Sequence, residues 1–389
     1  MSKQRDSPTL VAMAKKKKKG GGGGGAVGSV KGFGAARSTK TKKSQNGFQM
    51  DRSKDAMAFY DFLAQNGAGD NLQRAALGYF ALPGGGSLRG VVALKDMKKG
   101  DVLIRIPYEL AINLGLEGVD PTGLGKDLLQ MYCDTLNGED DGTADRSPYF
   151  RMLPEFMGDD CKGSTDFFSE EAMHALQAPL VVEETQQRRE RVKKRFERDV
   201  VSDADFPKWT DGSEITEEHL RWAVWLITSR VLTVQGAAED NRYFRLLIPF
   251  LDMCNHDRAS PHVLTGRAVA GGELKVVAGA PVAAGEQINI GYGGGVAGND
   301  RFLQDYGFLD SEAAFNMVAL QILGKRRVVE GVIAGRTMPA SDREAAIESL
   351  QRTTVDEDKA MLLEETSSDM KAALQYRIGV KEALSKYSS

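Results

Sequence analysis

The sequence predicts an α+β fold, and three features predict it. Short alternating apolar segments bounded by Gly, Pro and Asp turns recur at 88–93, 102–107 and 287–290. A charged, helix-periodic stretch at about 120–235 separates the first two from the third and reads as a helical insert. Residues 311–389 carry helical periodicity alone, so a small all-α C-terminal region is expected.

Taken in order, the folded part is expected to start near Asp51. Ala56, Phe59, Tyr60 and Leu63 recur at helical spacing, and Asn66-Gly67 stops that helix. Residues 79–82 and 88–93, parted by the turn Pro83-Gly84-Gly85-Gly86, combine with 102–107 into an expected β-meander. Gly90 suits either a glycine that starts a strand or a backbone approached closely by a ligand, because it has no side chain. In the insert, 124–136 is helical, 147–154 is a compact aromatic-proline turn and 169–199 is a charged helix. Its run from Arg188 to Arg198 includes Glu190 and Glu197 and reads as a solvated helix face, not a nucleic-acid site. Thr216 caps a further helix whose stripe is Leu220, Ala223, Val224, Ile227, Val231 and Val234. Arg230 near its end either meets the last carbonyls or holds a carboxylate. Beyond the central stretch, Ser341 with Glu344 is expected to form the capping box that opens the C-terminal helices.

Composition excludes several classes. At 389 residues and 41% hydrophobic, the chain can bury a sizeable core, yet its apolar runs fall short of the ~18 residues that cross a bilayer, so no membrane partner is expected. Cys133, Cys161 and Cys254 are widely spaced, which argues against a disulfide framework or a cysteine zinc site and for a reducing, intracellular setting. Charge is split: residues 1–50 hold 12 Lys/Arg and one acid, the other 339 residues 39 Lys/Arg and 53 Asp/Glu. Lys15 to Lys19 followed by Gly20 to Gly25 cannot bury apolar surface, so residues 1–50 are expected to be a disordered basic arm. Such an arm suits a solubilising tail, a nuclear import or nucleic-acid patch associating with acidic partners, or a plastid transit segment; cytoplasm and nucleus are the favoured compartments.

Polar groups gather at 249–308. The loop Asp252-Met253-Cys254-Asn255-His256 follows the apolar run 246–251, and Tyr292 follows the strand at 287–290. Asn299-Asp300-Arg301 and Tyr306-Gly307-Phe308 come next. There is no G-x-S-x-G elbow for a serine hydrolase, and the four histidines lack metal-site spacing, so no metal is expected. Gly293-Gly294-Gly295 lacks the G-K-[ST] of a phosphate loop.

The combination Asp252-x-x-Asn255-His256, Glu286, Tyr292, Asn299-Asp300-Arg301 and Tyr306-Gly307-Phe308 resembles the SET-domain protein methyltransferases. The branch it resembles is typified by Rubisco large-subunit lysine methyltransferase and the actin-histidine methyltransferase, and the resemblance covers residues 55–310. It implies a SET domain at 51–310, made of short sheets with a pseudoknot-like C-terminal crossing. Residues 311–389 would then be a short substrate-binding-like region. It also implies S-adenosylmethionine as methyl donor, with S-adenosylhomocysteine as product. By position, Asn255 and His256 would serve the cofactor, Arg230 its carboxylate, and Arg89 and Gly90 another side of it. Tyr292 would be the catalytic tyrosine near the transferring methyl. Tyr306 and Phe308 would wall the cofactor pocket, and Tyr306 the acceptor channel as well. Backbone carbonyls of Ser229, Leu232 and Asp252 would face the methyl and the acceptor amine. Leu88 and Ser87 stand where the pattern carries Gly and Glu. The implied activity is protein-lysine N-methylation, on a non-histone substrate because no Cys-rich segment follows Phe308. A histidine acceptor is the nearest enzymatic variant; a catalytically weak SET scaffold that binds protein or nucleic acid is the reading from another class.

Overall fold

The computed structural model describes residues 30–31, 48–82, 86–139, 145–239, 241–295, 298–310 and 340–388. Most of the arm, the turn residues 83–85 and residues 311–339 therefore lie outside the described residues. Val30–Lys31 (β1) and Phe48–Met50 (β2) are strands, so the folded part begins ahead of the expected Asp51. Ser53 caps Lys54–Gln65 (α1), and Ala56, Phe59, Tyr60 and Leu63 are all buried, as their spacing predicts. Ala75–Ala81 (β3) and Ser87–Ala93 (β4) pair along their whole length. Val102–Pro107 (β5) and Ile112–Leu116 (β6) follow.

The insert comprises Pro121–Asn137 (α2), the single turns Ser147–Phe150 (α3) and Asp159–Lys162 (α4), Glu170–Ala175 (α5), Pro179–Asp199 (α6) and Glu217–Arg230 (α7). The helix expected at 169–199 is thus two helices, broken where Gln177 takes a φ of 51° and Pro179 restarts the chain. Leu232–Gln235 (β7), Tyr243–Leu247 (β8), Val263–Thr265 (β9) and Glu273–Val277 (β10) complete the strands. A short helix, Asn299–Arg301 (α8), runs into a wide turn at Phe302–Tyr306. The C-terminal helices are Ala340–Gln351 (α9), Val355–Glu364 (α10) and Ser368–Ser388 (α11).

Among the described residues, three antiparallel sheets form, in the orders β1-β7-β8-β6, β5-β10-β9 and β2-β3-β4. The expected meander is therefore not one sheet: β3 and β4 pair, but β5 joins β10. The turn after β4 carries the chain away, because Met97 exchanges two backbone hydrogen bonds with Val282 (2.8 and 2.9 Å). Residues 287–290 make only isolated bridges, to Val92 and His256.

Two further expectations are corrected. Arg188 at the start of the run does not face water: its side chain is mostly enclosed between Asp166 (2.9 Å) and Asp305 (2.8 Å), and Val192 is buried, while Glu190, Arg191, Lys193, Lys194, Glu197 and Arg198 are exposed as the solvated face requires. Ser341 lies inside α9, which already starts at Ala340; the capping box is at Thr354, whose N–H donates to Glu357 Oε2 (2.7 Å) while its hydroxyl accepts from the Glu357 N–H (3.2 Å). The C-terminal helices dock on the insert: Leu350, Ala373, Tyr376 and Val380 pack with Phe168, Met173, Leu176 and Leu303.

Candidate active site

Backbone pairing builds the floor of the site. From β8 the chain passes through Phe250, held at a φ of 69° by burial, into the turn Leu251–Met253. Asn255 to Asp257 then lies parallel to Ile290. The Ile290 N–H donates to Asn255 O (2.9 Å) and the Asp257 N–H donates to Ile290 O (3.0 Å). Residues 298–310 fold back over this pair. Asn299 clasps Asp310 by two hydrogen bonds: its Oδ1 accepts from the Asp310 N–H (2.8 Å) and its Nδ2 donates to Asp310 O (3.1 Å). The Asp310 carboxylate in turn meets His256 Nε2 (3.3 Å) and Arg258 Nε (2.5 Å). This is the crossing the sequence predicts.

Each predicted side chain has a definite task there. His256 Nδ1 accepts from the Tyr292 N–H (2.9 Å), so the ring proton sits on Nε2, facing Asp310. The Tyr292 hydroxyl donates to Cys254 O (2.5 Å), and burial pushes its pKa well up, so it stays protonated at any ordinary pH. Tyr306 stacks on Tyr292 at 5.0 Å and 28°, with Phe308 at 6.5 Å from Tyr292. Burial likewise raises the Tyr306 hydroxyl.

Arg230 ends α7 and donates from Nη1 to both Asp252 O (3.1 Å) and Asp252 Oδ2 (3.3 Å). Asp252 is buried, which pushes its carboxyl pKa up, while Arg230 and the Tyr149 hydroxyl (3.0 Å) oppose that shift. The carbonyl expected to face a methyl group is thus already engaged by Arg230. The Ser229 hydroxyl turns back to Trp225 O (2.7 Å), a bond that holds it against its own helix. Asn255 Nδ2 donates to Arg89 O (2.9 Å), and the Arg89 guanidinium reaches Met152 O (2.5 Å) in the insert.

Gly90 needs correcting. It is buried and does not line the cleft; a Cβ there would lie 2.3 Å from Gln287 Nε2 and 2.5 Å from Asn255 Nδ2. Its missing side chain makes room for Gln287 and Asn255. Gly307 plays a similar part at φ 80°, since it presses backbone to backbone on Gly163, where a Cβ would lie 2.1 Å from Gly307 O.

Two cavities open on these groups. A cleft of about 780 Å³ is walled by Leu88, Arg89, Trp225, Asn255, His256 and Phe308. A narrow passage of about 150 Å³ is lined by Leu232, Cys254, Ile290 and Gly293. Ser229, Arg230, Asp252, Tyr292 and Tyr306 line both, so the cavities meet at the two stacked tyrosines. Apart from Gly90, every predicted site residue lines one cavity or both.

Sequence reasoning missed several supports. Tyr149 holds Asp252, Asp310 holds His256, and the Cys254 carbonyl holds the Tyr292 hydroxyl. Ser164 Oγ ties the insert to the tyrosine segment through Gln304 O (2.6 Å). The proximity of Cys254 to Asn255 was a usable signal; the others sit 54 to 140 residues from the groups they support and carried none.

No family model matches the chain, and no curated protein matches it. Solved structures do. The chain is similar to the SET domain of LSMT bound to lysine and AdoHcy, with a TM-score of 0.57 and 18% identity over 86% of this chain and 90% of that one. It is also similar to Rubisco LSMT bound to AdoMet, at a TM-score of 0.56, 18% identity and the same coverage. The chain has the SET-domain fold, with its helical insert and a helical C-terminal region.

Proposed function

We propose that the chain is an S-adenosylmethionine-dependent protein-lysine N-methyltransferase acting on a non-histone protein. The observation that carries this is the meeting of a roomy cleft and a narrow passage across Tyr292 and Tyr306. Methyl transfer needs donor and acceptor to approach one point in line, and two cavities that share the groups around Tyr292 and Tyr306 supply such a point. Of the two similar structures, one is bound to AdoHcy and lysine and the other to AdoMet, which supports the assignment of cleft and passage.

The cleft residues fit the cofactor. Trp225 and Phe308 offer aromatic faces, Asn255 an amide and Arg230 a cation, and the indole Nε1 of Trp225 is buried with no hydrogen-bond partner. S-adenosylmethionine supplies, when bound, a methyl group on a sulfonium, already electrophilic. The protein's part is to deliver an uncharged amine. The passage, lined by Leu232, Ile290 and the stacked tyrosines, desolvates an ammonium and lowers its pKa. Tyr292 cannot act as a base there, because its hydroxyl is held protonated by burial and fixed on Cys254 O. Its role is to orient the acceptor nitrogen and exclude water.

The test is calorimetric titration of the full chain with S-adenosylmethionine beside Asn255→Ala. Saturable binding, weakened about tenfold or more by the substitution, is expected. A folded chain that takes up no S-adenosylmethionine would return the scaffold reading.

A further inference from the structure

We propose that a third cavity, an arginine-lined cleft adjoining the passage, receives acidic side chains that flank the acceptor, so that the substrates are acidic protein segments. This rests on the methyl-transfer reading and names its substrate class. The cleft is about 330 Å³ and shares Val231 and Thr233 with the passage, while it shares no lining residue with the larger cleft. Chain flanking an acceptor in the passage therefore emerges here.

Five arginines line it: Arg188, Arg191, Arg221, Arg245 and Arg301. Its three acids are already spent, because Arg188 takes Asp166 (2.9 Å) and Asp305 (2.8 Å), and Arg301 takes Glu184 (3.0 Å). Arg221 is paired with Glu217. Arg191 and Arg245 are left without an ion pair among the described residues. Arg245 gives one N–H to Val119 O (2.8 Å), and Glu117 and Asp120 act on it from beyond ion-pair distance. It stands directly across from Thr233 in the β7–β8 register, which sets its base beside the passage. Residues 51–389 are acidic as a whole, with 53 Asp/Glu against 39 Lys/Arg, so a surplus of cations at this point is not a by-product of composition. The Lys-rich arm carries one acid and does not supply the carboxylates this cleft takes. Arginine pairs in fork geometry with carboxylates, which gives selectivity as well as attraction.

Two capped seven-residue peptides test it on the full chain, each with a central lysine, one flanked by two glutamates on either side and the other by glutamines. Binding is read by fluorescence anisotropy, which needs no turnover, and S-adenosylmethionine binding is read separately by calorimetry. The glutamate peptide is expected to bind about tenfold tighter, with the preference eroded by salt and lost in Arg245→Gln combined with Arg191→Gln, while S-adenosylmethionine affinity stays put. Equal affinity for the two peptides, or a preference that survives both substitutions, overturns the proposal. Loss of S-adenosylmethionine binding in the unaltered chain would instead remove the methyl-transfer reading, and the anisotropy result would still report the charge preference.

Discussion

The floor and the wall of the site are held by different means. The floor, Cys254 to Asp257 with Ile290 to Tyr292, is fixed by backbone hydrogen bonds and by His256 gripping the Tyr292 N–H. The wall, from Tyr149 to Ser164 and along α7, is fixed by side chains reaching across long stretches: Tyr149 to Asp252, Arg89 to Met152, and Ser164 to Gln304. The difference teaches that Asn255, His256 and Tyr292 are presented on a frame built by the backbone, whereas Trp225, Ser229 and Arg230 are presented by an insert whose place depends on side-chain contacts. Damage to the floor should abolish chemistry in a folded protein. Damage to the wall should cost stability first.

Tyr292→Phe sharpens that contrast most. It is expected to lower the turnover of labelled methyl transfer on the order of 10²-fold, the cost of mispositioned reactants, while calorimetry shows unchanged S-adenosylmethionine affinity. An unchanged rate would deny Tyr292 its role. Next is Gly163→Ala, which drives a Cβ into the Gly307 carbonyl. Denaturant melts should show a loss of about 1–3 kcal/mol, with turnover falling because Tyr306 and Phe308 ride on that segment. A silent substitution would mean the wall does not position them. Tyr149→Phe removes one donor from buried Asp252 but leaves Arg230 in place, so about 1 kcal/mol of stability is expected to go. The smallest effect is in pH. Burial lowers the pKa of both His219 and His262 below the usual 6.5, so the unfolded chain binds protons that the folded one refuses. Their contribution is present above about pH 6.5 and is lost as pH falls below it. The melting temperature should therefore drop between pH 7 and pH 5, and His219→Gln should flatten that slope.

How much could be read ahead follows the same division. α1 was legible because its apolar residues recur at one helical face; α7 was legible as a helix, but it is buried all round from Trp222 to Ile227 and the last two residues of its expected stripe lie beyond it, Val231 at the cap and Val234 in β7. Asn255, His256 and Tyr292 were legible because they sit in short, ordered motifs. The partner of β5 was not legible, since alternation marks a strand without naming its neighbour. Arg188 was misread because a charged helical residue looks the same in sequence whether water or a distant Asp305 receives it. Gly90 was left between a strand glycine and a ligand approach, because the neighbours that fill its space, Gln287 and Asn255, lie far along the chain. The C-terminal helices were foreseen as helices, but not the Tyr376 hydroxyl that reaches Asp300 and braces the segment carrying Tyr306.

The measurement that tests the central claim most directly is a crystal structure of the full chain with S-adenosylhomocysteine and free lysine. The account predicts the sulfur at the Tyr292 end of the larger cleft and the lysine amine in the passage beyond, the two facing each other between Tyr292 and Tyr306. Both molecules on one side of those tyrosines, or S-adenosylhomocysteine away from Asn255 and Arg230, would contradict it.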